Sequence, residues 1–353
     1  MSEERENPGN PRVSIGLPVF NGANFLAEAL DSLLAQDYSD FEIILCDNAS
    51  TDGTAGICKT FAARDPRVRY FRNPLNLGAA PNFNRAFKLS LGEYFRWAAH
   101  DDTTAPAFLG KCVGQLDADP GAVLCHSQVR IFDKEGEVLE DHEYLPEMDS
   151  DSPLKRFHDL LFTKNRCFEV FGLIRSSVLK KTHLMGSFPV GDRVLLAELA
   201  FHGRFHEIPE RLFFSRDHAG RSVRQLATQQ ERATWFDARY KGKLTFPEWR
   251  TFVEYLKAIH RSPLSFRQRL GCYRMMVKWL YWYKNRMVRD LLFPFRRRKA
   301  GRKGLEPNPS WPEETPHSKA QSPSEPGRLP EEPAAESEGA TGGMASGGQS
   351  GRK

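Results

Sequence analysis

Through residues 13–102 the chain repeats one pattern: a short, almost uninterrupted apolar run, then a cluster of polar side chains, then a stretch with helical spacing. The first run is Val13-Ser14-Ile15-Gly16-Leu17-Pro18-Val19-Phe20. Asn21-Gly22 follows it, and then Phe25, Leu26, Ala29, Leu30, Leu33 and Leu34 recur at the spacing of one helix face. The apolar run 41–46, a helix holding Ile57, Cys58 and Phe61, a short strand 68–71, a helix over about 81–89 and a strand 93–99 continue the series. Strands this apolar are covered on both faces, and their alternation with helices points to the α/β class. In such sheets ligands sit beyond the carboxyl ends of the strands. Polar residues gather at those places: Asn21 after the first run, 47–54 after the second, Asn73, Asn76 and Gly78 after the third, and His100-Asp101-Asp102 after the fourth.

Downstream, residues 122–132 turn at 134–137 as a hairpin, followed by a helix near 153–162 and an apolar strand 168–174. A helix begins at Asp192, a strand covers 204–214, and from about 222 the pattern is helical to 298 with interruptions at Pro247, Pro263 and Pro294. The six cysteines are scattered, with no C-x-x-C pair, and are expected to be reduced and mostly buried. No window approaches the roughly 20 consecutive apolar residues of a membrane span, and the first residues resemble neither a signal peptide nor a targeting helix, so a cytoplasmic protein is expected.

The formal net charge of +5 conceals a strong asymmetry: residues 261–303 hold 14 basic residues and one acid, Asp290. Between 266 and 299 these cations are interleaved with Phe266, Tyr273, Trp279, Tyr281, Trp282, Tyr283, Phe293 and Phe295. A helix in a membrane interface uses such a mixture, with rings at headgroup depth and cations on anionic lipid, and the segment 293–303 favours that use. For 279–283 a packed helical subdomain is an equal alternative. Nucleic-acid binding is not expected, because no groove-reading or base-stacking motif accompanies the charge. Residues 304–353, rich in Pro, Glu, Ser and Gly, are expected to be disordered.

Several motifs, in order, carry a resemblance to a known family: Ser14-Ile15-Gly16-Leu17-Pro18-Val19-Phe20-Asn21, Cys46-Asp47-Asn48-Ala49-Ser50-Thr51-Asp52-Gly53-Thr54, Asn76-Leu77-Gly78 with Asn84, Gly92-Glu93-Tyr94 leading to His100-Asp101-Asp102, and Val190-Gly191-Asp192. Over roughly residues 12–220 the chain resembles the nucleotide-sugar glycosyltransferases of family 2. That resemblance implies the GT-A fold, a Rossmann-like mixed sheet flanked by helices. It further implies a catalytic domain over 12–225, preceded by a flexible 1–11, followed by a helical basic-aromatic extension over 226–303 and the tail 304–353.

By the same resemblance Asp102 is the metal ligand and Asp101 lies near the ribose, although Ala99-His100 stands where the common Asp-x-Asp form has its earlier carboxylate. A nucleoside diphosphate leaving group carries several negative charges, which a divalent Mg²⁺ or Mn²⁺ held by a carboxylate would offset. Asp-Asp is also a common start for a helix, here one near Pro106. Pro18, Phe20, Asn21, Asp47, Asn76, Gly78 and Asn84 would line the nucleotide pocket, with Asp47 on the base. Asp47 alternatively closes an Asx turn, and Phe20 alternatively belongs to the core. Phe83 replaces the basic residue that often precedes the asparagine at position 84, a loss that Arg85 or Arg72 would offset. His218 or Arg216, helped by Arg221, would close on the diphosphate.

Asp192 is the expected general base, taking the proton of an acceptor hydroxyl; its other reading is a helix N-cap. One base without a second nucleophilic carboxylate implies a single displacement with inversion. The expected activity is therefore transfer of a sugar from a nucleotide-diphospho-sugar to a saccharide or lipid-linked acceptor, in polysaccharide or glycolipid synthesis at the inner membrane face. A nucleotidyltransferase on a similar fold, which would want an early Gly-rich loop with lysine, and a non-catalytic binding module are the alternatives.

Overall fold

The computed structural model describes residues 9–144, 146–221, 226 and 229–300, with backbone alone for 229, 230 and 293–300. Most of the expected flexible start (1–8) and the whole tail 304–353 lie outside the described residues. Four strands, β1 (Val13–Val19), β2 (Phe41–Asp47), β3 (Val68–Arg72) and β4 (Tyr94–Trp97), alternate with helices α1 (Leu26–Leu34), α2 (Thr54–Arg64) and α3 (Ala79–Lys88). All four strands are mutually parallel, in the order β3-β2-β1-β4. Every residue of β1 and β2 is buried, which accounts for their continuous apolar runs. Two of the polar exceptions, Ser14 and Glu42, face one another across the β1–β2 register and are joined by a 2.7 Å hydrogen bond from Ser14 Oγ.

The remainder of the sheet is mixed. β5 (Thr103–Thr104), α4 (Phe108–Ala118), β6 (Ala122–Asp133), β7 (Val138–His142), α5 (Pro153–Phe162), β8 (Leu173–Arg175), α6 (Ser176–Leu179), α7 (Gly191–His202) and β9 (Arg204–Asp217) complete a nine-stranded sheet of order β3-β2-β1-β4-β8-β6-β9-β5, with β7 hairpinned onto β6. Strand β8 is antiparallel to both β4 and β6, and β9 is parallel to β6. Consequently β9 runs in the same direction as β1–β4, and its carboxyl end emerges at the same edge of the sheet.

The expected strand over 168–174 is corrected: Phe168–Phe171 is a 3₁₀ turn, and only Leu173–Arg175 pairs in the sheet. Cys167 sits at φ 59°, and the buried Glu169 accepts a 2.7 Å bond from Asn165 Nδ2, so a polar contact bends the backbone off the ladder. Hydrophobicity alone did not expose that contact.

After β9 come α8 (Gln229–Phe236), a 3₁₀ turn at Ala238–Tyr240, α9 (Pro247–Arg261) and α10 (Phe266–Ala300). Pro247 occupies the first turn of α9, where its missing N–H has no partner to lose, and Pro263 lies in the break before α10. The helix continues through Pro294, contrary to the expected interruption; a proline removes one i−4 bond without necessarily ending a helix. Within the aromatic segment 279–283 the rings divide: Trp279, Trp282 and Tyr283 pack toward the body, and Tyr281 is exposed. Trp279 is buried, stacked on Tyr283 at 4.3 Å and packed on Phe252 and Tyr255 of α9, while Trp282 meets Phe162 of α5 edge-on at 4.8 Å. An ion pair from Arg261 to the buried Glu198 of α7 ties α9 to the body. All six cysteines are free and buried.

Trp279→Ala removes the centre of this aromatic stack and should cost about 3–5 kcal/mol, the range for large aromatics cut from a core. Guanidinium unfolding would show it as a lower midpoint at unchanged slope. A loss below about 1 kcal/mol would mean that α10 is not docked in solution.

Candidate active site

Parallel strands leave their carboxyl ends at one edge, and the loops that depart there need partners for their backbone groups. Short polar side chains supply them. Asn21 N–H donates to Ser50 Oγ at 2.9 Å, Gly22 N–H to Thr54 Oγ1 at 2.9 Å, and Thr51 N–H to Asn21 Oδ1 at 2.8 Å, knitting the loops after β1 and β2. Asn48, only 2% exposed, donates to Asn76 Oδ1 and the Gly78 carbonyl and accepts from Leu77 N–H and Asn73 Nδ2, which fastens the loop after β3. Asn82 continues this network, accepting from Asn73 Nδ2 and donating to the Cys46 carbonyl at 2.7 Å. Asn48 stood in the second sequence motif without an assigned role, and Asn82 was not singled out by sequence; an Asn-rich set of strand-end loops was the available signal.

Two glycines are required here by close approach. A Cβ on Gly22 would lie 2.4 Å from the His100 ring, so this glycine lets the loops after β1 and β4 touch. Between β1 and β4 the strand order reverses, which is where a crevice opens in such a sheet. Gly78 has φ 92° and approaches Asp237 so closely that a Cβ would come within 2.5 Å of its Cα.

Phe20 is 43% exposed at the end of β1, not core, whereas Pro18 is buried beside Cys46. Asp47 is wholly buried. Its Oδ1 accepts Ser50 N–H at 2.8 Å, forming the Asx-type turn, while its Oδ2 takes Tyr70 Oη at 3.0 Å and Arg72 Nη1 at 2.6 Å. Arg85 instead bonds Asn73 Oδ1. The Asn84 amide is engaged at both ends by the Met185 backbone, at 2.9 Å each way, so it anchors the loop that leads to α7.

The end of β4 meets the end of β9. Asp101 Oδ2 lies 2.9 Å from His218 Nε2, and His218 Nδ1 accepts Gly220 N–H, so the ring presents its Nε2 proton to the carboxylate. Asp102 is 8% exposed and accepts Arg216 N–H through Oδ1 at 2.9 Å. The Arg216 side chain donates to the Asp101 carbonyl at 3.2 Å, pairs with Glu28 and lies between the rings of Phe25 and Phe132 at 4.7 and 4.5 Å. Neither aspartate caps α4, whose N-cap is Ala107. Burial, with Asp101 nearby, pushes the Asp102 carboxyl up to about 7, and burial pushes the His100 imidazole down. Beneath them Arg96 is fully buried, with Nη1 lacking a hydrogen-bond partner among the described residues. Asp102 is the carboxylate that would receive a divalent cation, its Oδ2 being free of the backbone bond. Among the described residues no three or more His, Cys, Asp or Glu side chains form a larger metal cluster.

Asp192 lies in the first turn of α7, where the N-cap is Val190 at φ 61°, a strained conformation for a β-branched residue. Burial raises its carboxyl above the ordinary range, against a 2.8 Å bond from Arg193 N–H.

Residues 14–182 match the family described as Glycosyl transferase family 2. EpsE of Bacillus subtilis is 34% identical over 127 residues, covering 36% of this chain and 46% of that protein. An uncharacterized glycosyltransferase of Rickettsia typhi is 32% identical over 189 residues, covering 51% of this chain and 58% of its own. The chain thus spans about half the length of these curated relatives. Among solved structures, residues 1-349 of S. aureus TarS in complex with UDP-GlcNAc superpose with a TM-score of 0.56 at 14% identity, covering 76% of this chain and 72% of that one, a likeness of fold.

Because the folded state holds the Asp102 carboxyl near 7 against an ordinary value of 3.8, ionising it costs stability as pH rises between those values. Asp102→Asn should therefore stabilise the metal-free protein at pH 8 by up to about 4 kcal/mol and leave it nearly unchanged at pH 4. Thermal melts of both proteins across that range would show the difference growing with pH; a constant offset would contradict it.

Proposed function

Because residues 14–182 match the family described as Glycosyl transferase family 2, we propose that the chain transfers a sugar from a nucleotide-diphospho-sugar to a hydroxyl of a saccharide or lipid-linked acceptor, with inversion at the anomeric carbon. The observation that carries this reading is the meeting of Asp101 and Asp102 with His218 and Arg216 at the strand-end crevice. The product belongs to cell-surface polysaccharide or glycolipid synthesis, made on the cytoplasmic side with residues 266–303 toward an anionic membrane surface.

The nucleotide lies along the loops after β1, β2 and β3. Phe20, exposed at the rim, covers the base, and Asn21, Asn76 and Gly78 shape its floor. Arg72, 41% exposed against the buried Asp47, swings aside so that a base N–H reaches that carboxylate. Asp101, aligned by His218, takes the ribose, and the diphosphate lies toward Asp102 and Arg216.

A buried carboxylate pushed toward neutrality, with one oxygen free of the backbone, fits a hard cation, and Asp102 would hold Mg²⁺ or Mn²⁺ with phosphate and water oxygens completing its shell. When bound, the ion would offset the negative charge that builds on the departing diphosphate. The chain's own residues do the rest. Asp192, its carboxyl raised by burial, accepts the proton of the acceptor hydroxyl as that oxygen bonds the anomeric carbon and the bond to the diphosphate breaks. Asn84 keeps the Met185 loop, and hence the start of α7, in register.

Three variants separate these roles. Asp192→Asn should bind donor with unchanged affinity and lose about 10²–10⁴-fold in turnover; retained turnover removes it as the base. Asp102→Ala should lose both turnover and the Mn²⁺ dependence of donor binding. Asn84→Ala should lower kcat with donor affinity intact, whereas weakened donor binding would return Asn84 to the nucleotide pocket. A thermal-shift panel of nucleotide sugars, UDP-GlcNAc included, identifies the donor by the stabilisation that binding confers.

A further inference from the structure

With its aromatic cluster turned inward, α10 still presents an apolar surface that no described residue covers. Phe266 is 82% exposed, Val277 68% and Tyr281 65%, and Leu270, Tyr273 and Val288 are exposed with them. At about 3.6 residues per turn these six fall within a sector of roughly 80°, and they extend along about 33 Å of helix. The other side of the same helix buries Cys272, Met276, Trp279 and Met287 against the body. Burial on one side and exposure on the other rule out a helix that is simply polar outward.

The charge around this stripe is one-sided. Arg267, Arg274 and Lys284 are exposed on α10. The one acid between 261 and 303, Asp290, is 2% exposed and accepts Glu248 N–H at 2.9 Å, so the outer face carries no carboxylate at all. Two copies meeting through such faces would set cations against cations. A nucleic acid would satisfy the cations and leave the apolar stripe in water. An anionic lipid surface satisfies both at once.

We infer that the outer face of α10 over 266–288 lies in the headgroup region of an anionic bilayer, with the helix parallel to the surface. Phe266, Val277 and Tyr281 enter the acyl boundary, and Arg267, Arg274 and Lys284 rest on lipid phosphates. This deepens the proposed transferase by giving it a lipid-side acceptor, and depends on that reading only for its purpose; binding itself requires neither donor nor turnover. Among the described residues no helix is long and apolar enough to cross a membrane, so the contact is one of surface.

The test is vesicle flotation of the full chain without substrates, using phosphatidylcholine alone and phosphatidylcholine with about 30 mol% phosphatidylglycerol. The wild type should float with the anionic vesicles and not with the neutral ones. The double variant Val277→Glu/Tyr281→Glu should lose at least about tenfold in bound fraction with an unchanged melting temperature. Equal flotation of variant and wild type would overturn the inference and leave the basic run 293–303 as the binding element. Equal binding to neutral vesicles would overturn the charge argument. A concentration-dependent dimer abolished by the variant, or an RNA complex formed without flotation, would each assign the face to another occupant. Turnover on a soluble acceptor should be the same in both proteins, so a failed transferase assay leaves the flotation result standing.

Discussion

Parallel strands oblige every connecting loop at their carboxyl edge to leave without ladder partners, and the loops here must still pair their backbone groups or remain in water. Asn48, Asn73 and Asn82 meet that demand from inside, bonding one another and the backbone of the loop after β3. Side-chain amides suit the task because each offers both donors and an acceptor without charge. The result is a rigid rim of polar loops, at which Phe20 stays exposed and Asp47 stays buried.

The same direction of strands brings β9 to this rim. β9 runs parallel to β1–β4, and β5, which directly follows Asp101 and Asp102, pairs with it at Thr103↔Phe214, so Arg216 can close on the two aspartates from 114 residues away along the chain. Its guanidinium is held by Phe25, Phe132 and Glu28, so the N–H that meets Asp102 is fixed by packing. Holding a carboxylate at 8% exposure is costly for the bare protein, a cost that the proposed cation would offset, the usual tension between stability and a charged site.

Legibility varied with the kind of force involved. β1 and β2 were readable because both faces are buried and their apolar runs are unbroken. The 168–174 segment looked equally apolar but was bent by Asn165 and Glu169, whose contact depends on neighbours in space. Asp101, Asp102 and His218 were placed by pattern, and the structure brings them to one edge. Asn84 was expected at the nucleotide, yet its amide is engaged by Met185, which lies 101 residues along the chain. In the C-terminal helices the composition announced aromatics and cations correctly, but could not say which of them faced outward.

By itself the sequence determined the alternation of elements, the places where polar residues collect and the concentration of positive charge, because periodicity and composition are local properties. Only the tertiary structure decided that Trp279 and Trp282 pack inward while Val277 and Tyr281 face out, that Arg216 clamps the aspartate pair, and that Asp102 is buried. Those outcomes depend on which surfaces meet after the sheet is assembled, and exposure is a property of the whole fold rather than of any stretch of chain.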